Sequence, residues 1–134
     1  MGGKKNQMPI ENEGLFSQIT DFLPYPLAIF TPHYTLALTN KAFAAETKMQ
    51  IMYQGKGPAR ILHHKINDMQ LAAAITGVFT GQTFFLEGLK NPFSMFSGIT
   101  QESALVPERF NRAVIFPVPA DDVEITHGVI VLMP

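Results

Sequence analysis

Four histidines, His33, His63, His64 and His127, are the side chains best suited to bind a metal or move a proton near neutral pH, and cysteine is absent. Without a thiol, disulfide frameworks, zinc ribbons, iron–sulfur clusters and thiolate nucleophiles are excluded. His33 and His127 have no partner at metal-ligand spacing, and His63 and His64 sit side by side after Arg60. All four are expected at the surface, and no metal site is expected. Ser17, Ser94, Ser97 and Ser103 lack the G-x-S-x-G setting of an activated serine. Asp121, Asp122 and Glu124 crowd a turn, where solvated charge is the ordinary outcome. No G-x-x-x-x-G-K-[ST] run is present, and GQTFFLEG is not a dinucleotide fingerprint. No catalytic residue is assigned, and the chain is expected not to be an enzyme.

What remains is apolar. Eleven Phe and seven Met stand among 134 residues, hydrophobic types make up 46% and charged types only 16%, against about 25% in an average soluble domain. Ten basic and eleven acidic residues leave a net charge of −1, so nucleic acid is not an expected partner. With so few charges, some apolar surface should be covered by a ligand, a partner or a second copy of the chain. A chain of this length is one domain. Residues 1–10 read as a flexible polar lead and residues 11–134 as the domain. No apolar run reaches the length of a membrane-spanning helix, and the polar start has no hydrophobic stretch of a secretory signal. No membrane partner is expected, and the cytoplasm is the default location.

The elements that would position these side chains follow from periodicity. Residues 11–23 place Leu15, Phe16, Ile19, Phe22 and Leu23 on one helical stripe, and Pro24 and Pro26 end it. Residues 27–31 read as a strand. Residues 34–39 alternate Tyr34, Leu36 and Leu38 against Thr35, Ala37 and Thr39, and the two runs lie close enough for a hairpin. Asn40 then precedes an alanine-bearing helix as its cap. On that role alone Asn40→Ala should cost about 1 kcal/mol, and Asn40→Asp less. Residues 48–66 are broken by Gly55, Gly57 and Pro58. Residues 67–80 read as a central helix, with Asn67 and Gln70 as a capping box, Leu71, Ile75, Val78 and Phe79 on one face, and Gly81 at its end. Residues 82–88 and 109–118 read as strands flanking a long loop, the latter with Phe110, Val114, Phe116 and Val118 on one side. Residues 125–133 close the set, with Val129, Val131 and Met133 opposed to Ile130 and Leu132.

The stretch FLPYPLAIFTPHYTLALTNKAFAAET, residues 22–47, together with VIFPV and the closing HGVIVLM, resembles the PAS domain, a small sensory fold of signalling proteins. Asn40, Phe43 and Thr47 fall at the family's Asn, aromatic and Thr positions, while Lys48 stands where Gly is frequent. Leu132-Met133-Pro134 stands where many members carry Asp-Ile-Thr. The resemblance covers residues 15–133. It implies an α+β fold, a five-stranded antiparallel sheet flanked by helices, with an N-terminal helix. It also implies a sensory or protein-interaction module of a larger signalling protein, such as a histidine kinase, a cyclic-dinucleotide enzyme or a transcriptional regulator. Some relatives bind haem through a histidine on the central helix, which holds none here, and others bind flavin through a cysteine. Neither cofactor is expected. The family's pocket lies between the central helix and the inner sheet face. Its walls would be Ala28, Phe30, Leu38, Phe43, Leu71, Ile75, Phe84, Leu86, Val114 and Phe116, suited to a small apolar ligand. A homodimer through the N-terminal helix and the outer sheet face is expected. The alternatives from other classes are a small-molecule-transforming enzyme domain and a dimerisation scaffold whose core is simply filled.

Overall fold

Strand β1 (Leu27–Phe30) is buried along its whole length, and the reason is its place in the sheet: it pairs on both edges and packs on both faces. The computed structural model of the chain describes residues 18–47, 59–66, 68–97, 109–119 and 124–134. Within them the order is β1, β2 (Leu36–Thr39), α1 (Lys41–Thr47), α2 (Met69–Gly77), β3 (Phe84–Leu86), β4 (Arg112–Pro119) and β5 (Ile125–Met133). Three tight 3₁₀ turns, His63–Lys65, Val78–Thr80 and Pro92–Met95, lie between them. The five strands form one antiparallel sheet in the order β2-β1-β5-β4-β3. The expected α+β architecture is therefore the one observed. The 1–10 lead, Leu15 and Phe16, Asn67, Asp121 and Asp122 lie outside the described residues.

β5 sits at the centre, paired from Leu27↔Val131 to Phe30↔Gly128 on one side and from Arg112↔Met133 to Pro119↔Ile125 on the other. Its two apolar rows build two separate cores. Ile130 and Leu132 join the inner core with Phe30, Phe43, Leu71 and Ile75, whereas Val129 and Val131 join Leu27 and Ile29 on the outer face. Gly128 is required where β5 passes Phe30, since a Cβ there would come within 2.6 Å of the ring.

Several elements differ from their sequence expectation. The second strand begins at Leu36, because Tyr34 takes a left-handed backbone with φ of 63° and Thr35 bridges to Arg60 instead. The central helix is capped by Asp68, whose Oδ1 accepts the Leu71 N–H at 3.0 Å. It tightens into the 3₁₀ turn Val78–Thr80 before Gly81 closes it with φ of 95°. The 89–107 loop is not bare, since Pro92–Met95 forms a 3₁₀ turn within it. Residues 18–22 are helical, yet their apolar stripe is mostly outward: Ile19 is 58% and Phe22 87% exposed, and Leu23 alone of the three packs on the outer face.

Candidate functional site

The inner face of the sheet and α2 enclose one continuous apolar cluster. Ala28, Phe30, Phe43, Leu71, Ile75 and Leu86 are buried in it, and half-buried Phe84 packs against it. Three further expected wall residues do not belong there. Leu38 lies on the outer face, because the β1–β2 ladder shifts register between Ile29 and Phe30: Ile29 pairs with Leu38 but Phe30 pairs with Leu36. Ala37 is the extra residue of that bulge, and it turns Leu36 inward and Leu38 outward although they are two apart. Val114 and Phe116 also lie on the outer face, with Ala113 and Ile115 inside. The strand begins only at Arg112, so parity counted from buried Phe110 does not carry into it.

The inner cluster also holds residues that periodicity alone did not single out. Phe93 and Phe96, from the turn after β3, meet the Phe43 ring edge-on at 5.6 and 5.0 Å between centroids, and Phe93 meets Phe110 at 6.0 Å. Met95 is buried beside them. The signal was present as Pro92-Phe93 and Met95-Phe96, a proline fit for the first position of a tight turn followed by apolar residues. At the other end Phe30 meets Phe79 at 5.6 Å, and Phe79 meets Tyr34 at 6.5 Å.

Polar groups in this region are few and occupied. Asn40 is 1% exposed and binds four backbone groups with its side chain. Its Oδ1 accepts the Phe43 N–H at 2.9 Å, as a helix cap does, and also the Leu27 N–H at 3.0 Å. Its Nδ2 donates to the carbonyls of Thr20 at 2.8 Å and Tyr25 at 3.0 Å. Asn40 is thus a cap and at the same time the clamp joining residues 20–25, β1 and α1. On this geometry the cap-only ranking of Asn40→Ala and Asn40→Asp should reverse, since a carboxylate has no proton for two carbonyl oxygens. Thr47 Oγ1 donates to the Phe43 carbonyl at 2.7 Å. Among the described residues no buried side-chain nitrogen or oxygen lacks a partner.

The histidines lie elsewhere. His33, His63 and His64 are exposed, and half-buried His127 contacts Thr126 Oγ1 through Nδ1 at 2.9 Å. Among the described residues no three His, Asp or Glu side chains are grouped to hold a metal ion. Ser94 Oγ donates to the Asn91 carbonyl and Ser97 Oγ accepts the Arg60 N–H, so both serve local turns. Glu124 is exposed, while Ser17 and Ser103 lie outside the described residues.

No protein-family model and no curated protein sequence matches this chain. Its fold does match a solved structure, a sensory box sensor histidine kinase from Vibrio cholerae, with a TM-score of 0.52 over 96% of this chain and 95% of that one. Identity across the match is 14%, so the likeness is one of fold. A five-stranded antiparallel sheet with helices, closed over one apolar inner face, is the sensory-box, PAS-like architecture. No helix among the described residues is long and apolar enough to cross a membrane.

Proposed function

We propose that this chain is a sensory and protein-interaction module of a signal-transduction protein, without catalysis of its own. The observation that carries this reading is the end-to-end match with a sensory box kinase structure, in which nearly the whole of both chains takes part. Two features support it. The inner cluster is built of apolar and aromatic side chains whose neighbouring polar groups are already paired, so a ligand that it admits would be small, apolar and selected by shape. On the outer face Ile29 and Val129 are already buried within the chain and Leu38 and Phe116 are half-buried, whereas Ile19 and Phe22, on the helical turn before Leu23, are exposed. Exposed Ile19 and Phe22 support a homodimer through the N-terminal helix and the outer sheet face. On this reading the module needs no haem or flavin, contacts neither nucleic acid nor membrane, and works in the cytoplasm.

Native mass spectrometry of the purified chain, repeated after organic extraction, tests the ligand. An added mass that extraction removes is expected, and a chain of bare mass in both spectra would defeat ligand sensing. Sedimentation equilibrium tests the pairing, and a strictly monomeric chain at micromolar concentration would refute it.

A further inference from the structure

Charge on the described surface is unevenly placed. Residues 31–35, which join β1 to β2, are tied to residues 59–65 in three ways. Thr35 bridges Arg60, the Ile61 N–H donates to the Tyr34 carbonyl at 2.7 Å, and the Tyr34 ring packs against the His63 imidazole at 4.3 Å between centroids. Arg60 is held from its other side as well: its N–H donates to Ser97 Oγ at 2.8 Å, and its carbonyl accepts the Ser97 N–H at 2.9 Å. These ties gather His33, Arg60, His63, His64 and Lys65 on one rim, and all five are exposed. The backbone beneath them is fixed while their polar ends face water.

Among the described residues no acid on that rim is paired with them. Residues 22–45, 47–67 and 88–101 contain neither Asp nor Glu. Of the acids that bound these ranges, Asp21 accepts the Lys41 N–H, Glu46 pairs with Arg109 at 3.1 Å, Asp68 caps α2 and Glu87 lies beside Lys90, while Glu102 lies outside the described residues. Among the described residues neither Arg60 nor Lys65 forms an ion pair. Lys90 differs, since it shares a shallow cleft with Asp68 and Glu87.

We propose that the rim formed by His33, Arg60, His63, His64 and Lys65 is a docking surface for an acidic segment of a partner protein. Its sign is opposite to the net charge of the chain, so the attraction is local and orients the partner. The Arg60 guanidinium presents a planar fork that matches a carboxylate, with Lys65 and the imidazoles as further donors. Two fixed cations on a chain of net charge −1 are too few for a polyanion held by counterion release, which argues against nucleic acid.

The test titrates the full chain with a fluorescein-labelled oligoglutamate peptide and follows anisotropy. Binding is expected at low ionic strength and should weaken as salt screens it. Arg60→Glu/Lys65→Glu should bind roughly tenfold more weakly, with Arg60→Gln/Lys65→Gln in between, because rim charges act through long-range attraction. Lys41→Glu/Lys90→Glu, an equal change in net charge on exposed side chains that are not among these five, should bind as the parent does. Circular dichroism verifies that each variant is folded. Three results would overturn the proposal: no peptide binding by the parent chain, equal loss in the Lys41/Lys90 control, or tighter binding of a DNA oligonucleotide of equal charge. A rim reversal that abolishes self-association and leaves peptide binding intact would overturn it in favour of a second copy.

Discussion

Replacing Asn40 separates a helix cap from a clamp. In Asn40→Ala the N–H groups of Leu27 and Phe43 and the carbonyl of Tyr25 lose the partner described above, while the Thr20 carbonyl keeps the Leu23 N–H at 3.2 Å. Three deprived groups, at about 1–1.5 kcal/mol each toward the lower end of the penalty for burial without a partner, sum to roughly 3–5 kcal/mol. Asn40→Asp keeps both bonds at Oδ1 but turns a bare oxygen toward two carbonyls that now sit 2.8 and 3.0 Å from Nδ2. Its loss at neutral pH should equal or exceed that of alanine. The sign with pH follows from the same contacts. Burial and two facing carbonyls raise the folded-state pKa of the introduced carboxyl above its unfolded value near 3.9, outweighing the two N–H bonds kept at Oδ1, which act the other way. The Asp variant therefore has its best stability below that value and loses it as pH rises through the raised one. Urea melts of parent and both variants at pH 4 and pH 7, followed by far-ultraviolet circular dichroism, measure this directly. A loss of about 1 kcal/mol in Asn40→Ala, with a smaller loss in Asn40→Asp that shrinks from pH 4 to pH 7 as the carboxylate ionises, would match a simple cap and refute the clamp.

Gly128→Ala should lower stability by about 1–3 kcal/mol, since the new methyl meets Phe30 on one side and Val78 at 3.0 Å on the other; thermal melting reads this out. Phe43→Ala removes the ring on which Phe93 and Phe96 converge and should cost about 3–5 kcal/mol in chemical denaturation. Asp68→Ala loses the cap bond to Leu71 and should cost about 1 kcal/mol, with Asp68→Asn nearly neutral in the same assay. The purified chain should be colourless, and a stoichiometric Soret or flavin band in its absorbance spectrum would contradict the cofactor reading.

The legible parts of this chain are those where local chemistry and tertiary role agree. β1 and β5 announce themselves by unbroken apolar runs, α1 by Asn40 before an alanine-rich segment, and the end of the central helix by Gly81. The face assignments were harder for a physical reason. Where both sides of a sheet are apolar, composition does not say which side of β4 faces α2, and Ala113 marks the inner side less loudly than Phe116 marks the outer. The bulge beside Leu38 is a product of strand pairing and leaves no mark in the alternation. The Nδ2 half of Asn40 was equally hidden, because its partners lie 15 and 20 residues away. Local spacing can show a cap, and only the assembled fold can show the clamp.

The central position of β5 sets the order in which the molecule can be completed as it is made. Both β1 and β4 take one ladder partner from β5, the last of the five described strands in chain order. Until residues 125–133 leave the ribosome, the β1–β2 and β3–β4 ribbons have no strand to join them, and each waits with an open hydrogen-bonding edge above apolar side chains. Two-stranded ribbons are marginal in water, so the sheet closes late and in one cooperative step, with contacts that span almost the whole described chain. Deleting residues 125–133 would therefore remove the strand that joins the two halves, leaving material prone to aggregation where a merely trimmed domain was intended.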